Sequence, residues 1–324
     1  MARERTATGG SPRRARRTVN GVVLLDKPAG LSSNHALQHV RRVLAAAKGG
    51  HAGTLDPPAT GMLPLCFGQA TKTCGIILGA RKAYRARLRL GAATDTGDAQ
   101  GSIVSEADVP AVDTAQVADV LRGFLGASEQ VPPMVSALKH GGERLYELAR
   151  RGESVPRAAR RIELHRIDLI GVTAGEIEFD VECSKGTYVR VLAADVAACL
   201  GTVGHLAALR RLWVSPFEHE PMVSLDEVLA WGDTHDTGGG NAPWLRPLDC
   251  GLTGLTRVDL GTADSASILH GRAIRSETGL PAGTTVRAYD AHGELLGLLE
   301  VTPGDRLQVI RLMVAAAPLI RQLT

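Results

Sequence analysis

His51-Ala52-Gly53-Thr54-Leu55-Asp56-Pro57-Pro58-Ala59-Thr60-Gly61-Met62-Leu63-Pro64 decides how the rest of the chain is read. Two adjacent prolines and two glycines break any 3.6-residue repeat, so an ordered loop is expected in place of a helix. Pro57 biases Asp56 toward an extended conformation, and Pro58 fixes a second φ angle. The product is a carboxylate on a stiff backbone among small residues, open to close approach by a large flat substrate. An arbitrary Asp-Pro is most often a rigid turn with a solvated aspartate; the length of the pattern around this one sets it apart.

On the N-terminal side, Asn20–Leu25 reads as a short apolar strand ending in a turn at Asp26-Lys27-Pro28-Ala29-Gly30. Ser32 or Ser33 caps a helix in which Ala36, Leu37, Val40, Val43, Leu44 and Ala47 recur at helical spacing. His35 and His39 stand at i, i+4, but no third ligand is near in sequence, so a metal site is not expected. On the C-terminal side, a helix is expected over Ala70–Leu78. Lys82–Leu90 then alternates strictly, with Tyr84, Ala86, Leu88 and Leu90 on one face and Arg85, Arg87 and Arg89 on the other. This is a half-buried strand of an antiparallel sheet, its arginines either solvated or touching phosphate. Asp95-Thr96-Gly97-Asp98 lacks the ligand spacing of a calcium loop and reads as a turn. Residues 113–124 form a helix and 145–149 a short one, while Arg160–Gly171 and Glu176–Cys183 form strands. Cys183-Ser184-Lys185-Gly186-Thr187-Tyr188-Val189-Arg190 closes a strand and opens a helix that Gly201 ends. From about Leu255, short strands alternate with Gly, Pro and Asp turns.

Composition bounds the function. The 324 residues suffice for two domains, and the 44% apolar fraction is ordinary for a globular protein. The N-terminus is Arg-rich without an apolar stretch behind it, so no signal peptide is expected. Asp195 and His205 interrupt the most apolar run, Val191–Leu209, which excludes a membrane span there. Five cysteines without a C-x-x-C pair suggest reduced thiols and a cytoplasmic protein. Net charge is +3, but six Arg and one Glu in residues 1–17 leave the remainder at about −2. A nucleic-acid site in the folded part must therefore come from local clusters, such as the eight Lys/Arg and four Glu between Lys139 and Arg166. No P-loop, H-E-x-x-H or Cys/His cluster is present.

The 51–64 stretch resembles the catalytic loop of the TruB-type tRNA pseudouridine-55 synthases. Other segments resemble further parts of the same family: Asp-Lys-Pro-x-Gly-x-Ser-Ser from Asp26, Pro-Pro-x-x-Ser-Ala-x-Lys from Pro132, Cys-Ser-x-Gly-Thr-Tyr-x-Arg from Cys183, and Leu209-Arg210-Arg211-Leu212. The resemblance is strong over residues 20–215 and weaker beyond. It implies the α+β pseudouridine synthase fold, a mixed, largely antiparallel sheet with flanking helices; position and strand spacing mark a small β-rich PUA-like domain after it. The expected division is a disordered basic tail at 1–18, a catalytic domain at 19–250 and an RNA-binding domain at 251–324. It further implies that Asp56 is catalytic, that Arg190 pairs with it, and that Tyr84 stacks on an extruded uridine. Tyr188 and Leu209 would line the uridine pocket, and His51 would help hold the everted stem-loop. Read without the family, Arg190 is a surface arginine, Tyr84, Tyr188 and Leu209 are core packing, and His51 is a loop histidine.

The implied reaction breaks a C–N glycosidic bond, turns the uracil and rejoins it through C5, which needs no cofactor and no metal. The implied partner is tRNA, through its TΨC stem-loop, with a monomeric enzyme and no membrane. Asp56 then acts either as a nucleophile or as an acid/base. Two other readings stay open: an RNA-folding chaperone that only grips the loop, and a synthase for another RNA site.

Overall fold

The alternation of Lys82–Leu90 places it at the middle of a nine-stranded sheet. The computed structural model describes residues 16–136, 138–235, 242–275 and 277–313. Eight strands follow the order Val223–Ser224, Gly21–Lys27, Thr60–Phe67, Gly204–Val214, Lys82–Leu90, Glu176–Cys183, Arg160–Thr173, Gly126–Gln130, and Gly49–His51 pairs with Thr60–Phe67. Two joins are parallel, Gly21–Lys27 with Val223–Ser224 and Thr60–Phe67 with Gly204–Val214. The others are antiparallel, so the sheet is mixed and largely antiparallel, as expected.

Period 2 sends alternate residues to opposite faces. Val23, Leu25, Leu63, Leu65, Tyr84, Ala86, Leu88, Ile177 and Phe179 join the main core. Helices Ser33–Val43, Thr114–Arg122, Val189–Cys199 and Leu225–Thr234 cover that face with Val40, Leu121, Ala193 and Val228. Val22, Leu24, Met62 and Cys66 form a smaller cluster with Ile77 and Phe217 on the other face. The helix expected over residues 70–78 is two pieces, a 3₁₀ turn at Gly68–Lys72 and an α-helix at Cys74–Gly79. Both the amide and the hydroxyl of Thr73 donate to the Ala70 carbonyl, an i−3 bond that interrupts the α ladder.

The arginine face of Lys82–Leu90 is an ion-pair mesh. Arg85 forms two hydrogen bonds to Asp180, at 2.8 and 2.9 Å, and Arg87 stands 3.8 Å from Glu176. The neighbouring strand's acidic residues supply the partners, so these two arginines are already engaged. The basic tail lies outside the described residues except at its end, where Arg17 exchanges backbone hydrogen bonds with Ala45 and Ala47.

A second, five-stranded sheet runs in the order Thr256–Asp259, Thr285–Tyr289, Leu295–Thr302, Arg306–Leu312, Ile274–Arg275. Its own core includes Ile268, Val286, Leu299, Val301 and Leu307. Leu252, Tyr289, Leu295 and Leu298 pack with Ile76, where this sheet meets the Cys74–Gly79 helix. The Tyr289 hydroxyl donates to Asp249 at 2.6 Å, and Lys72 Nζ to the Leu312 carbonyl at 2.7 Å. No helix among the described residues is long and apolar enough to cross a membrane.

Gly61 carries the tightest backbone requirement near the loop. Its φ is +97°, and a Cβ there would lie 2.1 Å from the Arg211 carbonyl oxygen and 2.8 Å from its nitrogen. Gly61→Ala is therefore expected to destabilise the fold by roughly 3 kcal/mol or more, read as a fall in the thermal midpoint. An unchanged midpoint would show that the parallel join tolerates a side chain.

Candidate active site

The 52–59 loop is tied down at several points. Ser33, at the start of its helix, accepts from the Leu55 amide at 2.8 Å and donates to the Leu55 carbonyl at 2.9 Å. The Gly30 amide donates to the Pro57 carbonyl at 2.8 Å, and the Ala59 amide closes a turn on the Asp56 carbonyl at 3.1 Å. Lys27, fully buried, donates from Nζ to the carbonyls of Pro28, Leu31 and Pro57. Burial lowers its pKa to about 8, with the nearby Asp56 opposing the fall. The carboxylate thus sits on a bend that is held as well as stiff.

Arg190 meets it from the first turn of Val189–Cys199. Nη2 lies 3.1 Å from Asp56 Oδ2, although 134 positions separate the two in sequence. The arginine is 5% exposed. It donates from Nη1 to the Thr96 carbonyl at 2.6 Å and from Nη2 to the Val135 carbonyl at 2.7 Å. Asp98 Oδ2 stands 3.9 Å from Nη1, and Asp98 Oδ1 accepts from Thr96 Oγ1 at 2.7 Å and the Gln100 amide at 3.0 Å. One guanidinium therefore joins three loops and two carboxylates.

Removal from bulk water raises the Asp56 pKa above the ordinary aspartate value. Arg190 pulls it down, and Asp98 pushes it up again. The net direction is upward, so Arg190 reduces the penalty without cancelling it. The Asp56 side chain keeps 41% of its surface, because it forms the partition between two hollows. The smaller is lined by Pro58, Ala59, Asp98, Ala99, Arg190 and Leu206–Leu209 together with Asp56. The larger, about 240 Å³, lies between the Gly53–Asp56 loop, Tyr84, Ser136, Tyr188, Leu209 and Arg211, somewhat smaller than the roughly 300 Å³ at which drug-sized sites begin.

Five of the six residues singled out in the sequence border the larger hollow: Asp56, Tyr84, Tyr188, Arg190 and Leu209. Tyr84 is buried on the core face of its strand, and its pKa is raised by burial against the pull of Arg211. Gln130 clamps the Tyr188 backbone, accepting from its amide at 2.7 Å and donating to its carbonyl at 3.2 Å. His51 stands apart from the hollow, its buried Nδ1 without a hydrogen-bond partner among the described residues and its pKa lowered by burial and by Arg211.

Sequence reasoning missed Asp98, Lys27, Ser136 and Arg211 as parts of this site. Asp98 was visible only as a turn residue, and Lys27 only as part of a motif. Ser136 has a buried hydroxyl with no hydrogen-bond partner among the described residues, which no sequence pattern announces.

The chain's relatives identify its family. Residues 41–189 match the family described as TruB family pseudouridylate synthase, N-terminal domain. Residues 190–253 match the tRNA pseudouridylate synthase B C-terminal domain, and 256–313 match pseudouridine synthase II TruB, C-terminal. A protein of Chromohalobacter salexigens named tRNA pseudouridine synthase B is 46% identical over 94% of this chain and 98% of its own length. Its namesake in Aromatoleum aromaticum is 45% identical over 94% and 96%. Among solved structures, a chain of a Cbf5-Nop10-Gar1 complex superposes with a TM-score of 0.69 at 24% identity, covering 91% of this chain and 85% of its own, which shows a shared fold. With family domains spanning 41–313 and relatives aligned almost end to end, the chain belongs to the TruB family of pseudouridylate synthases.

Proposed function

We propose that this enzyme converts uridine to pseudouridine at position 55, in the TΨC loop of tRNA, with Asp56 as the catalytic carboxylate. The observation that carries the reading is the Asp56–Arg190 contact of 3.1 Å in the wall of a hollow with an aromatic side. A uridine in a folded loop must be extruded to reach such a carboxylate. Tyr84 then stacks on the base, Tyr188 and Leu209 close the pocket, and His51 supports the opened loop. The relatives' name supplies tRNA as the substrate. The chemistry rearranges one nucleoside, so the proposed partner is RNA alone, with no cofactor. Five free thiols suit a cytoplasmic setting.

In the proposed division, residues 19–250 hold the chemistry and 251–324 add RNA contacts. RNA loops are gripped largely by shape and phosphate, so binding is expected to fall steeply with salt. Stacking on an aromatic side chain contributes about 1–3 kcal/mol per base. Tyr84→Leu should therefore lower kcat/KM for a T-arm hairpin by roughly tenfold to a hundredfold; a change under twofold would remove Tyr84 from the stack.

The site assignment is tested by tritium release from C5-labelled tRNA transcripts. Release is expected from the unaltered transcript and is expected to vanish when uridine 55 is replaced by cytidine. Release that survives the replacement would point to another site. RNA binding with no release from any transcript would point to a chaperone.

A further inference from the structure

Arg211 is a fully buried guanidinium with no carboxylate within ion-pair distance among the described residues. An uncompensated charge at such a site is costly. Its geometry is nevertheless tightly specified. Nε donates to the Met62 carbonyl at 2.6 Å and Nη2 to the Gly53 carbonyl at 3.1 Å, so it braces both ends of the catalytic bend. Gly53, with φ at +109°, leaves room for it: a Cβ there would lie 3.3 Å from Nη1. Strand register sets Arg211 directly opposite Tyr84, and the Tyr84 side chain is its neighbour.

Among the described residues, the walls of the larger hollow carry Lys82, Arg190 and Arg211 against the single carboxylate of Asp56. Arg190 is paired with that carboxylate. Lys82 directs Nζ to the Leu78 and Ala80 carbonyls. Arg211 remains as a fixed positive charge at the hollow, next to the aromatic wall. The field reaches its surroundings, since it also lowers the pKa values of His51 and Lys82.

We infer that Arg211 stabilises the negative charge that develops on the uracil ring during isomerisation, acting beside Tyr84 as a fixed cation of the pocket. The inference rests on the uridine reading of the hollow given above. When the N1–C1′ bond breaks, its electron pair stays with the uracil and spreads over N1, C5, O2 and O4. C1′ is satisfied by the Asp56 carboxylate, or by loss of a sugar proton to it. The ring turns, and C5 supplies the pair that forms the new C5–C1′ bond as the Asp56–C1′ bond breaks and frees the carboxylate, or as Asp56 returns its proton to the sugar; the C5 hydrogen leaves as a proton, and N1 takes up a proton. If Asp56 attacks the ring instead, electron density again moves onto the uracil oxygens. A preoriented cation in a water-poor site favours either route, because it needs no reorganisation when the charge appears.

The test compares Arg211→Gln and Arg211→Lys in single-turnover tritium release, hairpin binding and thermal melting. The expected result is a roughly hundredfold slower step for Arg211→Gln, with the hairpin Kd changed less than threefold, while Arg211→Lys stays within about tenfold of the wild type. Equal rates for Arg211→Gln and the wild type would overturn the inference. So would equal losses in both variants that follow the fall in melting temperature, since that pattern marks a brace and no more. A second measurement needs no variant. Barbiturate has the shape of uracil and a full negative charge at neutral pH, and it should inhibit wild-type release at least tenfold more strongly than uracil. Inhibition no stronger than that of uracil would count against a fixed cation. A wild type that releases no tritium at all would bring down the uridine reading first, and this inference with it.

Discussion

Arg190→Met is expected to destabilise the protein and to stop the reaction together. The substitution leaves the Thr96 and Val135 carbonyls without their donor and Asp56 without its counter-ion. Unmet buried carbonyls and a broken ion pair together suggest a loss of about 3 kcal/mol, visible in a denaturant titration. The rate at pH 7 should fall by about a hundredfold or more, beyond what lost stability explains, because Asp56 becomes harder to ionise. The sign follows from the charges present. Burial already holds the Asp56 pKa above the ordinary aspartate value, and Arg190 is the strongest opposing influence. The wild-type rate should fall as pH drops through that raised pKa. In the variant the same acid limb should move further toward neutral pH. A limb that stays in place would mean that Arg190 is a brace between loops and does not govern the charge of Asp56.

Asp56→Asn should separate the two effects. Activity is lost, by at least about 10³-fold, while folding and RNA binding persist. The loop does not depend on the carboxylate, since Ser33, Gly30 and Lys27 hold its backbone. Arg190 keeps the Thr96 and Val135 carbonyls and has Asp98 within 3.9 Å. The melting temperature should therefore change by only a few degrees, and the hairpin Kd by less than about threefold. A variant that no longer bound RNA would show Asp56 to be part of the grip on RNA as well as of the chemistry.

Local pattern accounts for much of this fold. Strict alternation over Lys82–Leu90 marks the strand and puts Tyr84 inside, as found. Ser32 caps its helix by accepting from the His35 amide, as its residue type suggests. Pairing register is different, because it is decided between segments far apart in sequence. Nothing within Arg85-Ala86-Arg87 says that Asp180 and Glu176 will stand beside those arginines. The same holds for the site. Asp56 is conspicuous in its own loop, yet its neighbour Arg190 looks like any helix arginine until the sheet brings the two together. That pairing came from likeness to a family and not from spacing. Asp98 and Arg211 escaped notice for a related reason: one lies in a turn whose partner is distant, and the other owes its isolation to a register of strands. The split at Thr73 was hidden too, since apolar spacing over nine residues does not separate α from 3₁₀ winding.

The most direct measurement is a count of pseudouridine formed per tRNA by wild type and Asp56→Asn, at enzyme concentrations giving equal RNA occupancy. One pseudouridine per molecule at position 55 from the wild type, and none from Asp56→Asn, is the predicted result. Equal yields from the two proteins would contradict the assignment of the chemistry to Asp56.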